Sequence, residues 1–240
     1  MNLKLIHKEK IASDSWELMF EKPEGFVYEP GQFLELYLQH SDQDDRGIKR
    51  WFTMSSSPTE SDLMITTRLV EKHSSFKEAL FKLNAGDNIE AKGPMGSFLL
   101  PKDTAKPAVW IAGGIGITPF RSQMKFLLDN KEQRDITLIY SNRTINDVCF
   151  ADLWEKAKSN LKNFKYVQTL VDEVPDNWMG GTGVVDEEMI KKAVSNITES
   201  EFYVSGPEPM VEAFKPMLEK MGVTEDNLHQ DWFPNYTEKF

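Results

Sequence analysis

The residues best able to do chemistry lie where an apolar run meets glycines. Val109-Trp-Ile-Ala112 runs directly into Gly113-Gly-Ile-Gly-Ile-Thr-Pro-Phe120. Such a junction predicts a strand, a tight turn and a helix start, with Thr118 as N-cap and Pro119 at the first helical position, where its missing N–H costs nothing. Glycines at 113, 114 and 116 would let a diphosphate approach the backbone N–H groups and the positive end of the helix. The turn lacks the third glycine of the Gly-x-Gly-x-x-Gly fingerprint, so a tight connection without a ligand accounts for it as well.

The next strand ends at Tyr140-Ser-Asn-Arg-Thr144. An acidic residue is expected there when a free ribose 2′-hydroxyl is read. Ser141 and Arg143 would instead accept a 2′-phosphate, which leans toward NADPH over NADH; an exposed Arg143 with no ligand is the alternative. The other chemistry is limited by composition. A single cysteine, Cys149, excludes an intrachain disulfide, a four-cysteine zinc site and a cysteine-ligated iron–sulfur cluster. A formal charge of −10 argues against a nucleic-acid partner, because phosphate binding needs a basic surface.

Two kinds of element position these residues. Up to about residue 100 the pattern is of short strands: Leu3–Lys8, Trp16–Glu21, Phe33–Gln39, Arg50–Ser56, Leu63–Val70 and Asn88–Lys92. Trp16, Leu18 and Phe20 alternate with Glu17, Met19 and Glu21, the period-2 signature of half-buried antiparallel strands. Six of them suggest a small antiparallel barrel. One helix interrupts them at Ser75–Leu83, with Phe76, Leu80 and Leu83 at helical spacing. After Pro101 strands at Ala108–Ala112, Ile136–Tyr140, Phe164–Thr169, Glu201–Ser205 and Leu228–Gln230 alternate with helices near Pro119–Asp129, Phe150–Asn160, Glu187–Ser195 and Pro207–Met221. That order predicts a doubly wound parallel α/β sheet. The expected domains are residues 1–102 and 103–240. The charged start and the lack of a long apolar run predict neither a signal peptide nor a membrane-inserted segment, and a cytoplasmic location by default.

With these elements in order, the chain resembles the ferredoxin–NADP reductase superfamily over nearly its whole length. Arg50-Trp-Phe-Thr53 is similar to the family's Arg-x-Tyr-Ser motif on a flavin barrel. The resemblance implies that Arg50 pairs with the FAD diphosphate, that Phe52 lies along the flavin and that Thr53 hydrogen-bonds near flavin N5. Thr66, Thr67 and Arg68, followed by Ser75, Phe76 and Lys77, resemble the family's basic strand end and phosphate-binding helix start. Gly86-Asp87 and Gly93-Pro-Met-Gly-Ser-Phe98 resemble turns that close the barrel. An ordinary strand and a capped amphipathic helix are the alternatives for these segments.

In the second domain Trp178-Met-Gly-Gly-Thr-Gly-Val-Val185 resembles the family's glycine turn before a helix. Tyr203-Val-Ser-Gly-Pro-Glu-Pro-Met210 resembles the Cys-Gly-Pro-x-x-Met element beside the nicotinamide, with Gly206, Pro207 and Met210 retained and Ser205 in the cysteine's place. The tail from His229 to Tyr236 resembles the family's acidic-x-Phe-x-Gly-Tyr ending, which would set Asp231 in the polar site and Phe233 near the flavin, with Asn235 where the family has glycine. The implied catalytic residues are Thr53, Ser205 and Asp231, with no metal.

The resemblance implies a Greek-key FAD barrel followed by an NAD(P)-binding domain, in a reductase that takes hydride from NADPH or NADH onto FAD. The lone cysteine leaves no iron–sulfur centre on the chain. The expected acceptor is therefore separate: a ferredoxin, a flavodoxin or an oxygenase component. Free flavin or a quinone is the alternative. Arg46, Lys49, Arg50, Lys72, Lys77, Arg121 and Lys125 would form a basic mouth for an acidic carrier. A binding or regulatory module with little turnover is the competing class, motivated by Ser205 and the variant flavin motif.

Overall fold

The computed structural model describes residues 1–233, with side chains through Trp232. It divides into two units: Met1–Leu99 with Thr118–Phe126, and Leu100–Ile117 with the described residues from Leu127 on.

The first unit holds β1 (Asn2–Lys10), β2 (Ser15–Glu21), β3 (Phe33–Tyr37), β4 (Lys49–Thr53), β5 (Asp62–Arg68), α1 (Ser75–Lys82) and β6 (Asn88–Met95). The six strands form one antiparallel sheet in the order β4-β3-β6-β1-β2-β5. A lone bridge between Met54 and Ile65 joins its two edges. Alternation on β2 works as expected: Leu18 and Phe20 are fully buried with Leu3, Leu34, Leu36, Ile65 and the α1 residues Phe76 and Leu80. Burying such side chains contributes roughly 1.5–3 kcal/mol each.

The strand expected at Arg50–Ser56 stops at Thr53. The amides of Ser55 and Ser56 both turn to the Met64 carbonyl, at 2.8 and 3.3 Å, and two donors on one acceptor cannot continue a regular ladder. β3 likewise ends two residues early, at Tyr37. Glu35 breaks the period-2 rule by being buried, and ion-pairs with Lys49 at 3.0 Å.

The second unit holds β7 (Ala108–Gly113), β8 (Ile136–Thr144), α3 (Ala151–Asn160), β9 (Phe164–Glu173), β10 (Gly181–Thr182), α4 (Glu187–Ala193), β11 (Glu201–Pro207), α5 (Glu208–Lys220) and β12 (Leu228–Phe233). Between β7 and α3 runs α2 (Thr118–Asn130), whose first part, through Phe126, counts with the first unit. The strands are parallel in the order β10-β9-β8-β7-β11-β12. Every residue of β7 is buried, as a central parallel strand covered on both faces should be. The order reverses direction between β7 and β11, the topological switch point where such sheets bind ligands.

Thr118 is not the N-cap that its type suggested. The turn Gly114–Ile117 is 3-10 helical and runs straight into α2, with Ile117 in the cap position at φ −69° and ψ −16° and no side-chain cap. Thr118 is buried and already belongs to the helix. Strand β10 was not foreseen, since Gly181 and Thr182 carry little strand propensity. Strands β8 and β9 run on through polar residues that gave no apolar pattern.

Candidate functional site

On the first unit, β4 and the start of α1 bring together Arg50, Phe52, Ser75 and Phe76. Ser74 caps α1 by accepting from the Lys77 amide. The Phe52 and Phe76 rings stack at 6.1 Å, and the Arg50 guanidinium lies 5.3 Å from the Phe76 centroid. Arg50 Nη2 donates to Asp44 Oδ1 and Oδ2 at 2.6 and 2.7 Å. Its Nη1 donates to the carbonyls of Lys49, Gly47 and Arg46 at 2.6, 3.1 and 3.2 Å. Arg50 Nε is buried without a partner. An orphaned charged donor is costly, and an anion is the natural group to satisfy it. The residues therefore fit a diphosphate.

Ser75 Oγ lies 3.0 Å from His40 Nε2 and accepts from the Asp44 amide at 3.3 Å. The Asp44 carboxyl is held below the usual carboxylate range: burial pushes it up, but hydrogen bonds from Arg50 and Arg46 outweigh that. Neither His40 nor Asp44 stood out in the sequence, because nothing local distinguishes Asp44 from its neighbours Asp42 and Asp45.

Other expected flavin-side residues are placed nearby but differently engaged. Thr53 is buried at the end of β4, and Thr66 and Thr67 are buried on β5. The Thr66 hydroxyl lies 2.7 Å from Ser55 Oγ. The Arg68 guanidinium turns to Asp14, with Nε 2.9 Å from each carboxylate oxygen. Lys77 Nζ donates to the Arg68 carbonyl at 2.7 Å. The anticipated basic mouth is partly offset by three carboxylates: Arg46 and Arg50 share Asp44, Lys49 pairs with Glu35 and Arg121 with Glu60.

On the second unit the glycine turn and the end of β11 meet. A Cβ on Gly113 would lie 2.3 Å from Met210 Sδ, and one on Gly116 would lie 2.2 Å from the Ser205 carbonyl oxygen. Gly206 is similarly close to Met210 Sδ, at 3.0 Å from a Cβ. Backbone packing alone accounts for glycine at 116, whereas at 113 and 206 the first neighbour is the flexible end of Met210. Gly114 adopts φ +50°. Pro207 precedes α5 and pairs through its backbone with Phe233. The side chain of Phe233, with Asn235 and Tyr236, lies outside the described residues.

Ser205 is fully buried, and its hydroxyl lies 3.5 Å from Asp231 Oδ2. Burial pushes the Asp231 carboxyl up to about 6, against a smaller lowering by the Ser205 hydrogen bond. His229, two residues earlier on β12, stacks on Tyr203 at 4.4 Å and contacts Glu201 at 3.1 Å, so its partners are structural.

Ser141 pairs with Gly113 across β7 and β8. Ser141 Oγ, Asn142 Oδ1 and Nδ2, and Gln168 Nε2 are buried without protein partners. Buried polar atoms in this state invite a polar ligand or ordered water. Arg143 is half-exposed and its Nε donates to Asp172 Oδ2 at 2.8 Å. Among the described residues no cluster of three metal-ligating side chains occurs, and no helix is long and apolar enough to cross a membrane.

The oxidoreductase FAD-binding domain family matches residues 2–99, and the oxidoreductase NAD-binding domain family matches residues 110–215. Fold and matches together define an oxidoreductase built from a flavin domain followed by a nicotinamide-nucleotide domain. The chain carries members of these two oxidoreductase domain families in that order, and shares its fold with ferredoxin–NADP reductases. It is 27% identical over 232 residues to the reductase subunit of glycine betaine monooxygenase from Chromohalobacter salexigens, covering 93% of this chain and 62% of that one. It is 29% identical over 219 residues to the reductase component of propane 2-monooxygenase from Mycolicibacterium smegmatis, covering 88% and 61%. The chain thus spans a little under two thirds of the length of these curated relatives. Among solved structures, the cytochrome b5 reductase domain of Ulva prolifera nitrate reductase superposes with a TM-score of 0.80 at 25% identity, covering 96% of each chain. An Amycolatopsis cytochrome P450 reductase superposes with a TM-score of 0.84 at 24% identity, covering 97% and 70%, a likeness of fold.

Proposed function

We propose that this chain takes hydride from NAD(P)H onto FAD and passes the electrons to a separate acceptor, an oxygenase component or a ferredoxin- or flavodoxin-type carrier. The observation that carries the reading is the flavin-domain match over 2–99 with Arg50 Nε left unpartnered beside the start of α1. Bound FAD would supply the redox chemistry, accepting two electrons as hydride and releasing them singly.

The protein's own part is positioning. Residues 1–102 hold the flavin and residues 103–240 the nicotinamide nucleotide. Arg50 and the first amides of α1 bind the diphosphate; Phe52, backed by Phe76, offers an aromatic face; Thr53 offers a hydroxyl. On the nucleotide side the Gly113–Pro119 turn sits at the switch point of the sheet, and Ser205 with Asp231 forms its polar end. A serine fills the cysteine's place and still hydrogen-bonds, but with less polarisable electrons. Arg143 and Ser141 support NADPH; the Asp172 carboxylate beside Arg143 opposes a 2′-phosphate unless it moves away.

An oxygenase component is favoured by the relatives, which are named as monooxygenase reductase subunits. The three carboxylates that partly offset Arg46, Lys49, Arg50 and Arg121 favour the second reading, a small acceptor such as free flavin or a quinone, since they weaken attraction to an acidic carrier. Purification tests the reductase. A yellow protein that releases FAD on denaturation and bleaches anaerobically with NADPH or NADH is expected. A colourless protein that takes up neither FAD nor NAD(P)H refutes it, and a protein that binds them without bleaching supports the regulatory module. Steady-state reduction of ferricyanide, free flavins and purified ferredoxin or flavodoxin with each nucleotide then ranks the acceptors.

A further inference from the structure

Asp44 contacts both features assigned above to the FAD diphosphate. Its carboxylate accepts both Nη2 contacts of Arg50, at 2.6 and 2.7 Å, and its amide donates to Ser75 Oγ at the first residue of α1. His40, at the start of the same loop, reaches that hydroxyl from Nε2. The loop is built to present the carboxylate. Gly47 adopts φ +61° and returns its amide to the Asp44 carbonyl at 2.9 Å, and the Arg46 amide donates to Asp44 Oδ1 at 3.0 Å. Arg46 also contacts Asp44 Oδ2 from Nη2 at 3.2 Å.

A carboxylate and a phosphate oxygen satisfy a guanidinium fork in the same way. Nη2 carries two N–H groups and the two Asp44 oxygens take both, so a phosphate oxygen reaches Nη2 only by displacing one of them. We propose that Asp44 is an internal competitor for the FAD diphosphate, so that loading the flavin requires the His40–Gly47 loop to release Arg50. The inference rests on the reading that Arg50 and the α1 start hold that diphosphate. A tethered carboxylate competes at high effective concentration. The diphosphate prevails through its greater charge and because it also reaches Nε, which the carboxylate leaves unpartnered. Arg46 remains with Asp44 when Arg50 is released, which keeps the freed carboxylate from being stranded. Asp44 thereby sets how tightly the flavin is retained, and makes it exchangeable.

The test is FAD binding to the deflavinated full chain, followed by quenching of flavin fluorescence, with inorganic pyrophosphate as a second probe by calorimetry. Asp44→Asn and Asp44→Ser should bind FAD more tightly, by about three- to tenfold at low ionic strength, and pyrophosphate should follow. Asp45→Asn removes an equal charge one residue away and should change neither. Unchanged or weaker FAD binding in both Asp44 variants, with folding verified by circular dichroism, overturns the inference. An equal gain in Asp45→Asn overturns it too, by reducing the effect to net charge. Arg50→Ala separates the two levels. Loss of FAD affinity there with no gain at Asp44 rejects the competitor alone, whereas undiminished FAD affinity in Arg50→Ala rejects the diphosphate site itself.

Discussion

A Cβ on Gly116 would lie 2.2 Å from the carbonyl oxygen of Ser205. The turn after β7 and the end of β11 therefore touch through bare backbone, and the two strands flanking the switch point of the sheet are locked at a spacing only glycine permits. The contact is backbone on both sides, so neither partner can rotate away.

Gly116→Ala should consequently cost about 1–3 kcal/mol of stability, read as a lower denaturation midpoint, and should weaken NAD(P)H binding by displacing Ser205. Gly113→Ala meets the Met210 sulfur instead. A flexible thioether can yield, and the Gly113 variant should therefore be the milder of the two. A larger loss at Gly113 than at Gly116 would contradict this ordering.

Asp231 gives a pH dependence whose sign can be worked out. Burial lifts its carboxyl from an ordinary 3.8 to about 6, so the folded state binds the proton more tightly than the unfolded one. The contribution is fully present below about pH 4 and is lost as pH rises through about 6. Asp231→Asn should therefore match the native protein at pH 4 and exceed it at pH 8, by at most about 3 kcal/mol and less after solvent screening. Thermal melts of both proteins between those limits check it. A gap that widens toward acid would exclude a raised carboxyl.

Within the first unit, Arg121 pairs with Glu60 and also donates to the Ser55 carbonyl at 3.1 Å. Glu17 close by is pushed up by burial and held down in part by Arg121. Arg121→Met should destabilise by about 1–2 kcal/mol, since Glu60 loses its counter-ion but keeps the Ser57 amide at 2.6 Å and some contact with water. The Glu60→Gln, Arg121→Met double variant should recover part of the loss. Denaturant titrations of the singles and the double give the coupling directly.

Arg143→Ala should weaken NADPH selectively, by roughly tenfold, with NADH little changed. Asp172→Asn should do the reverse and strengthen NADPH, because it removes a negative charge that competes with a 2′-phosphate at the Arg143 guanidinium. Equal responses of the two nucleotides to both substitutions would remove Arg143 from nucleotide choice.

Much of this protein could be read from local sequence. Alternation in Trp16–Glu21, the apolar run of β7, the glycine turn at 113–116 and the motif of Arg50, Phe52 and Thr53 are short-range patterns, because strand pleat, helix period and turn stereochemistry act over a few residues. They were enough for two units, for the order of most elements and for the family. Which groups face one another was decided elsewhere. Asp44 on Arg50, Asp14 on Arg68, Asp172 on Arg143 and Asp231 against Ser205 are pairs whose partners lie between 6 and 54 residues apart. Charge type along a sequence does not say which carboxylate reaches which guanidinium, nor how dry the place is where they meet. Those follow from strand register and loop packing, which only the tertiary structure supplies, and they set both the shifted Asp231 carboxyl and the contest at Arg50.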